Sequence, residues 1–324
     1  LIRAAAKNYS HVAVVTNPGM YEAVAGELEQ NEGCLSERTH FALAVEAFRH
    51  TAHYDTTIAE YLGGIETTHE VGPERLTLEF VKKQDLRYGE NPHQQGAFYV
   101  EEHLEEACVS NAEQIAGPDL SFNNILDMDA GVGLVREFDG PTAVVVKHTN
   151  PCGAGTDESL HVAYEKAYRG DPVSAFGCVV ALNRPLDVPT ARAIAEVRAE
   201  MEGRAAPFFV DCLVAPGFHE EALETLRRGA AWFERTRVLK TGALDGAGVD
   251  ETAQDMRRVT GGLLVQTRDL PGFGADGAEV ATALAPSDEQ IADLRFAWLC
   301  CKHVKSNAVT LARGGRPGSG PRGR

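Results

Sequence analysis

The chain has 324 residues, 44% hydrophobic and 24% charged, and 31 Lys and Arg against 47 Asp and Glu leave a net charge of −16. That composition excludes an intrinsically disordered chain and allows a core of normal size. The acidic balance argues against non-specific binding to nucleic acid or to an anionic membrane, both of which need positive charge. It leaves an anionic small molecule open, because a few local cations and backbone N–H groups can hold a phosphate.

Residues 2–9 favour helix, and 11–16 read as a short buried strand that ends at the Asn17-Pro18-Gly19 turn. Two helices follow over 21–30 and 36–61. The second is capped by Ser36 and carries an apolar stripe of Phe41, Ala44, Val45, Phe48, Ala52 and Ile58. The polar, Gly-containing stretch 63–73 is the best linker candidate. Beyond it, 76–81 alternates as a strand and 87–95 is a polar loop. Helices are expected over 125–138, 160–169, 188–202, 220–228 and 287–304, and strands over 142–146, 177–182 and 208–214. This alternation predicts an α/β architecture. Residues 313–324 are Gly/Pro/Arg-rich and predict a disordered tail.

Seven cysteines (Cys34, Cys108, Cys152, Cys178, Cys212, Cys300 and Cys301) are unevenly spaced, which predicts free thiols in a reducing compartment. No apolar run has the length of a signal peptide's core or of a membrane span, so a cytoplasmic protein is expected.

Three segments can carry chemistry. In 147–155 (KHTNPCGAG) a hydrophobic strand delivers Lys147, a fixed cation or proton donor, beside His148, whose imidazole can serve as a base. The carboxyl ends of strands are where open α/β folds bind ligands. A lone Lys-His pair is nonetheless more often a solvated turn. In the polar loop, Arg87 suits bidentate phosphate binding and Tyr88 adds a hydroxyl, although a plain surface turn fits as well. In 302–308 (KHVKSNA) Asn307 can orient an amide or formyl group, whereas Lys302 and Lys305 can simply serve a helix end.

A zinc deaminase needs H-x-E and P-C-x-x-C. Here Gly155 stands where the second Cys belongs and Thr149-Asn150 follows His148, so no metal is expected. Gly177 is read as allowing close backbone approach, and Cys178 as a small buried residue.

Together LRYGENPHQ (86–94), LSFNNILDMDA (120–130), VVKHTNPCGAG (145–155), DPVSAFGCVVALNRPLD (171–187), GGLLVQTRDL (261–270) and KHVKSNAV (302–309) resemble the bifunctional purine-biosynthesis family that joins AICAR formyltransferase to IMP cyclohydrolase. LIRAAAKN (1–8) and AFRHTAHYDTTIAEYL (47–62) resemble its cyclohydrolase part. The resemblance implies formyl transfer from 10-formyltetrahydrofolate, a cosubstrate, to AICAR to give FAICAR, followed by closure to IMP in a homodimer. No zinc, nucleic acid or membrane is implied.

It further implies an α/β fold in which 1–75 is the C-terminal part of a cyclohydrolase domain with its linker. Residues 76–312 would then be an incomplete, zinc-free, cytidine-deaminase-like transformylase domain. His148 would take the proton of the attacking amine, Lys147 would protonate the leaving folate nitrogen, and Asn307 would orient the reacting groups. Arg87 and Tyr88 would hold the nucleotide phosphate, Gly177 and Cys178 would line the substrate, and Lys7 would act in cyclisation. Family motifs expected before Leu1 and after the KSNA segment are missing, so the sequence predicts a fragment truncated at both ends with impaired activity. A non-catalytic nucleotide-binding or dimer-forming remnant is the alternative, ahead of a zinc deaminase.

Overall fold

A computed structural model of the chain describes residues 1–66, 72–201, 204–274, 277–316 and 322–323. It divides into two compact units, Leu1–Leu78 with Met256–Gln266, and Glu79–Asp255 with Thr267–Arg324. The sequence reading placed the division after residue 75 and kept 256–266 in the second domain.

In the first unit, α1 (Ile2–Lys7), α2 (Tyr21–Gln30) and α3 (Glu37–Glu66) are the regular helices of residues 1–78. Ser36 caps α3 by accepting the Thr39 N–H at 3.2 Å. Glu27 of α2 in turn accepts the Ser36 N–H at 2.7 Å. The unit's small core gathers Ala6, Ala44 and Ala47, with Ile2, Tyr9, Val14 and Phe48 packed against it. Two expectations change here. The 11–16 strand does not form, since a strand needs a hydrogen-bonded neighbour and no described segment supplies one. The expected α3 stripe is shifted: Leu43 and Ala47 are buried while Phe41 and Ile58 are exposed.

The second unit opens with an antiparallel pair, β1 (Val81–Leu86) and β2 (Gly96–Val100), so the strand expected at 76–81 begins only at its last residue. There follow β3 (Glu113–Ala116), α4 (Phe122–Val135), β4 (Thr142–Lys147), β5 (Asn150–Thr156), α5 (Leu160–Tyr168) and β6 (Cys178–Leu182). Next come α6 (Val188–Glu196), the small pair β7 (Arg198–Met201) and β8 (Arg204–Pro207), β9 (Val210–Ala215), α7 (Glu220–Gly229) and β10 (Arg237–Lys240). The pair β11 (Gln254–Val259) and β12 (Gly262–Thr267), nearly all of which belongs to the first unit, comes next in the chain, and α8 (Asp288–Lys302), β13 (Ala308–Val309) and β14 (Arg322–Gly323) follow in the second.

The central sheet runs β3-β10-β9-β6-β4-β5. Strands β6, β9 and β10 are parallel, and β3, β4 and β5 each run antiparallel to their neighbours. Side chains alternate between its faces. Val145, Val180, Leu182 and Leu213 pack with Tyr164 of α5, Ile194 of α6 and Leu226 of α7. Val144, Val146, Val179 and Val214 pack on the other face with Met128 and Val132 of α4 and Phe296 of α8. The result is a three-layer α/β unit.

Residues 150–156 form the edge strand β5 rather than a turn, and an edge tolerates Pro151. A Cβ on Gly153 would lie 1.9 Å from the Ala167 carbonyl oxygen, and one on Gly155 2.2 Å from that of Ala163. These glycines therefore let α5 lie directly on the strand. The expected disordered tail also differs in part. The Gly315 carbonyl accepts the Thr156 N–H at 3.1 Å, giving an edge-strand donor a partner. Arg322–Gly323 pairs with Ala308–Val309, while 317–321 and 324 lie outside the described residues.

Candidate functional site

Lys147 closes β4 and its register partner Asn150 opens β5, so His148 and Thr149 make a two-residue turn. Both have positive φ, 54° and 61°. A type I′ hairpin turn requires this and normally uses Asn and Gly. For a β-branched Thr such a backbone is an outlier, and it costs on the order of 1–3 kcal/mol unless its surroundings hold it.

Asp127 of α4 holds it: one carboxylate oxygen accepts the Thr149 N–H at 2.6 Å and the other the His148 N–H at 3.3 Å. The His148 carbonyl accepts from Thr149 Oγ1 at 2.7 Å and from Asn150 Nδ2 at 3.1 Å. The turn's peptide groups are thus engaged, while the imidazole stands exposed and makes no hydrogen bond among the described residues. Half-buried Lys147 donates from Nζ to the Phe176 carbonyl at 2.6 Å.

Because β4 runs antiparallel to β6, the carboxyl end of β4 lies at the amino ends of the parallel strands. The strand-end rule pointed to Lys147, but the structure places it opposite the end that rule describes. Asp211 near the start of β9 and Arg237 at the start of β10 share this edge, joined at 2.6 Å. Asp211 also accepts from Asn124 Nδ2 at 2.6 Å, and Asn124 forms a capping box with Ser121 at the start of α4. Burial pushes the Asp127 carboxyl above its ordinary value and the Asp211 charge adds to this, against the opposing hydrogen bonds from Thr149 and His148.

The loop after β1 carries exposed Arg87, whose guanidinium lies 4.8 Å from the Tyr88 ring centroid and donates to the Tyr88 hydroxyl at 3.0 Å. The Gly89 N–H closes the loop on the Gln94 carbonyl at 2.8 Å. Asn123 of α4 donates to the Glu90 carbonyl at 3.2 Å. One helix therefore touches the phosphate-loop candidate through Asn123, the β9 carboxylate through Asn124 and the Lys-His turn through Asp127.

Beyond α8, Asn307 is exposed and accepts from Ser306 Oγ at 2.7 Å. Its segment reaches the turn through Asn150, whose Oδ1 accepts the Lys305 N–H at 3.4 Å. The structure thus brings Lys147, His148 and the 305–307 segment into one bonded network. Lys302 and His303 are engaged elsewhere, 2.8 and 2.9 Å from Glu137.

Gly177 takes φ 70° and donates to the Phe209 carbonyl at 2.8 Å. The Cys178 side chain is wholly enclosed in the core, where burial pushes its thiol far up, so the side chain does not line an open surface as the sequence reading expected. Burial and Asp171 push Cys152 up to about 11, and burial pushes Cys300 up to about 12. These thiols stay protonated at neutral pH. Lys7 is exposed at the end of α1 in the first unit.

Among the described residues no group of three His, Cys, Asp or Glu side chains is arranged to hold a metal, and no helix is long and apolar enough to cross a membrane. The sequence reading gave no role to Asp127, Asn150 or Asp211. Asp127 lies on the helix just before the Lys-His strand, which is a signal of proximity but not of contact. A family model described as AICARFT/IMPCHase bienzyme matches residues 5–320.

Proposed function

The chain belongs to the AICARFT/IMPCHase bienzyme family of purine biosynthesis, and from that premise we propose that the Lys147-His148 turn catalyses formyl transfer from 10-formyltetrahydrofolate to the 5-amino group of AICAR. The amine nitrogen attacks the formyl carbon while the exposed His148 imidazole takes its proton. The bond from that carbon to the folate nitrogen then breaks, and Lys147, swinging from the Phe176 carbonyl, protonates the departing nitrogen. Products are FAICAR and tetrahydrofolate, and atoms balance. Asn307 orients the formyl oxygen and the amide, and Arg87 with Tyr88 holds the nucleotide phosphate. Lys7 is assigned to the closure of FAICAR to IMP, and a cytoplasmic homodimer is the working form.

The supporting observation is the exposed imidazole on a turn whose two backbone N–H groups are both held by Asp127, next to the Lys147 ammonium. The test mixes the purified chain with AICAR and 10-formyltetrahydrofolate and follows the absorbance of released tetrahydrofolate. Turnover that His148→Ala lowers by about 10²–10⁴-fold is expected. No turnover, or a variant as fast as the parent, overturns the reading. Calorimetric binding of AICAR without turnover would favour a non-catalytic nucleotide-binding protein.

A further inference from the structure

We propose that Asp127 is a positioning residue: its carboxylate clamps the two backbone N–H groups of the strained 148–149 turn and so aims the His148 imidazole, without exchanging a proton with substrate. Its consequence for formyl transfer rests on the reading above; the clamp itself does not.

The turn adopts two successive left-handed residues where neither is Gly or Asn. A short hairpin loop of this kind prefers to relax or change register unless something external over-determines it. The external element is α4, whose Met128 and Val132 are buried against the sheet and make it a rigid mount. Asp127 meets the turn with both oxygens, at 2.6 Å to the Thr149 N–H and 3.3 Å to the His148 N–H. Each oxygen is thus engaged by a backbone donor of the turn. The other titratable groups about it are His148 on the turn, Asp211 on β9 and, bonded to Asp211, Arg237 on β10. A single carboxylate thereby fixes the backbone on both sides of the catalytic Cα, leaving the side chain free to reach outward.

The test is suppression. Asp127→Ala should lower kcat about 10²-fold, the size of loss that follows from misplacing a reacting group by an ångström. KM for AICAR should change less than about threefold, since ground-state binding is left alone. Thr149→Gly added to that variant should recover at least about tenfold in kcat, because Gly takes the positive φ without a clamp. Asp127→Asn, which keeps the shape and one acceptor oxygen, should lose less than the Ala variant and be rescued by the same Gly.

Amide hydrogen exchange at Thr149, read by NMR, should be protected in the parent and lose that protection in Asp127→Ala. A double variant no faster than the single one, or a Thr149 amide equally protected without Asp127, overturns the proposal. If the parent shows no formyl transfer, the proposed function fails, while the Thr149 amide and the recovery of the His148 ring resonances by Thr149→Gly still decide the clamp.

Discussion

Lys147-His148 and Lys302-His303 are the same dipeptide placed at the same kind of position, the end of a regular element, yet the fold treats them in opposite ways. At the end of α8, Lys302 is only 8% exposed and shares Glu137 with His303. Both ring and ammonium are tied to that one carboxylate. At the end of β4 the carboxylate, Asp127, engages the backbone, so the His148 side chain is left untied beside a Lys held by a neutral carbonyl. The difference lies in which atoms the acidic neighbour binds. A carboxylate on the side chains ties them in place, and a carboxylate on the peptide holds the turn while leaving the imidazole unbonded.

The sharpest way to break this comparison is to remove each imidazole. His148→Ala should cost about 10²–10⁴ in kcat for formyl transfer and change stability by less than about 0.5 kcal/mol, as an exposed side chain should. Removing the acid that ties the other pair comes next. Glu137→Ala takes away the nearer carboxylate of a nearly buried Lys302, leaving it Asp269 at 3.9 Å, and should cost about 1–3 kcal/mol in urea unfolding, the worth of hydrogen bonds to a charged group. His303→Ala removes one hydrogen bond to that acid and should cost about 1 kcal/mol, with kcat falling less than His148→Ala makes it fall. An equal kcat loss in the two His variants would erase the distinction.

The smallest effect is in pH dependence, where the two carboxylates should move oppositely. Burial pushes Glu137 up, but the hydrogen bonds from His303 and Lys302 outweigh it and hold the carboxyl below its usual range. Its stabilisation is therefore present above the ordinary carboxylate pKa and is lost as pH falls through the depressed value. Glu137→Gln lacks that loss, so its stability gap to the parent should narrow in acid. Asp127 is raised, chiefly by burial. Its contribution is present below the ordinary value and is lost as pH rises through the elevated one. The stability of Asp127→Asn relative to the parent should accordingly improve from acid to neutral pH. Unfolding curves at several pH values check both signs.

Much of the second unit was legible because its signals are local. The β-branched run 142–146, the apolar 178–182 stretch and the α4 and α7 periodicities each report burial within a few residues. Strand β5 was not, since Asn150-Pro151-Cys152-Gly153 has turn chemistry and becomes a strand only as an edge that α5 presses against. The 11–16 run failed for the converse reason, good strand composition with no described neighbour to pair with. In the site, Lys147, His148, Arg87 and Asn307 were visible as chemical types in suggestive turns. Cys178 carried no such signal: strand patterning marks it as buried, and it is.

By itself the sequence determined the α/β class and the family and pointed to candidate reactive groups, because alternation, turn residues and motif spacing are written within short windows. Only the tertiary structure decided which carboxylate meets which Lys-His pair. Asp127 lies 21 residues from His148 and Glu137 lies 166 from His303. Over those separations a contact is set by how helices and strands pack, which no local pattern encodes. A carboxylate's effect on a nearby His depends on whether it takes the backbone or the ring, and packing alone makes that choice.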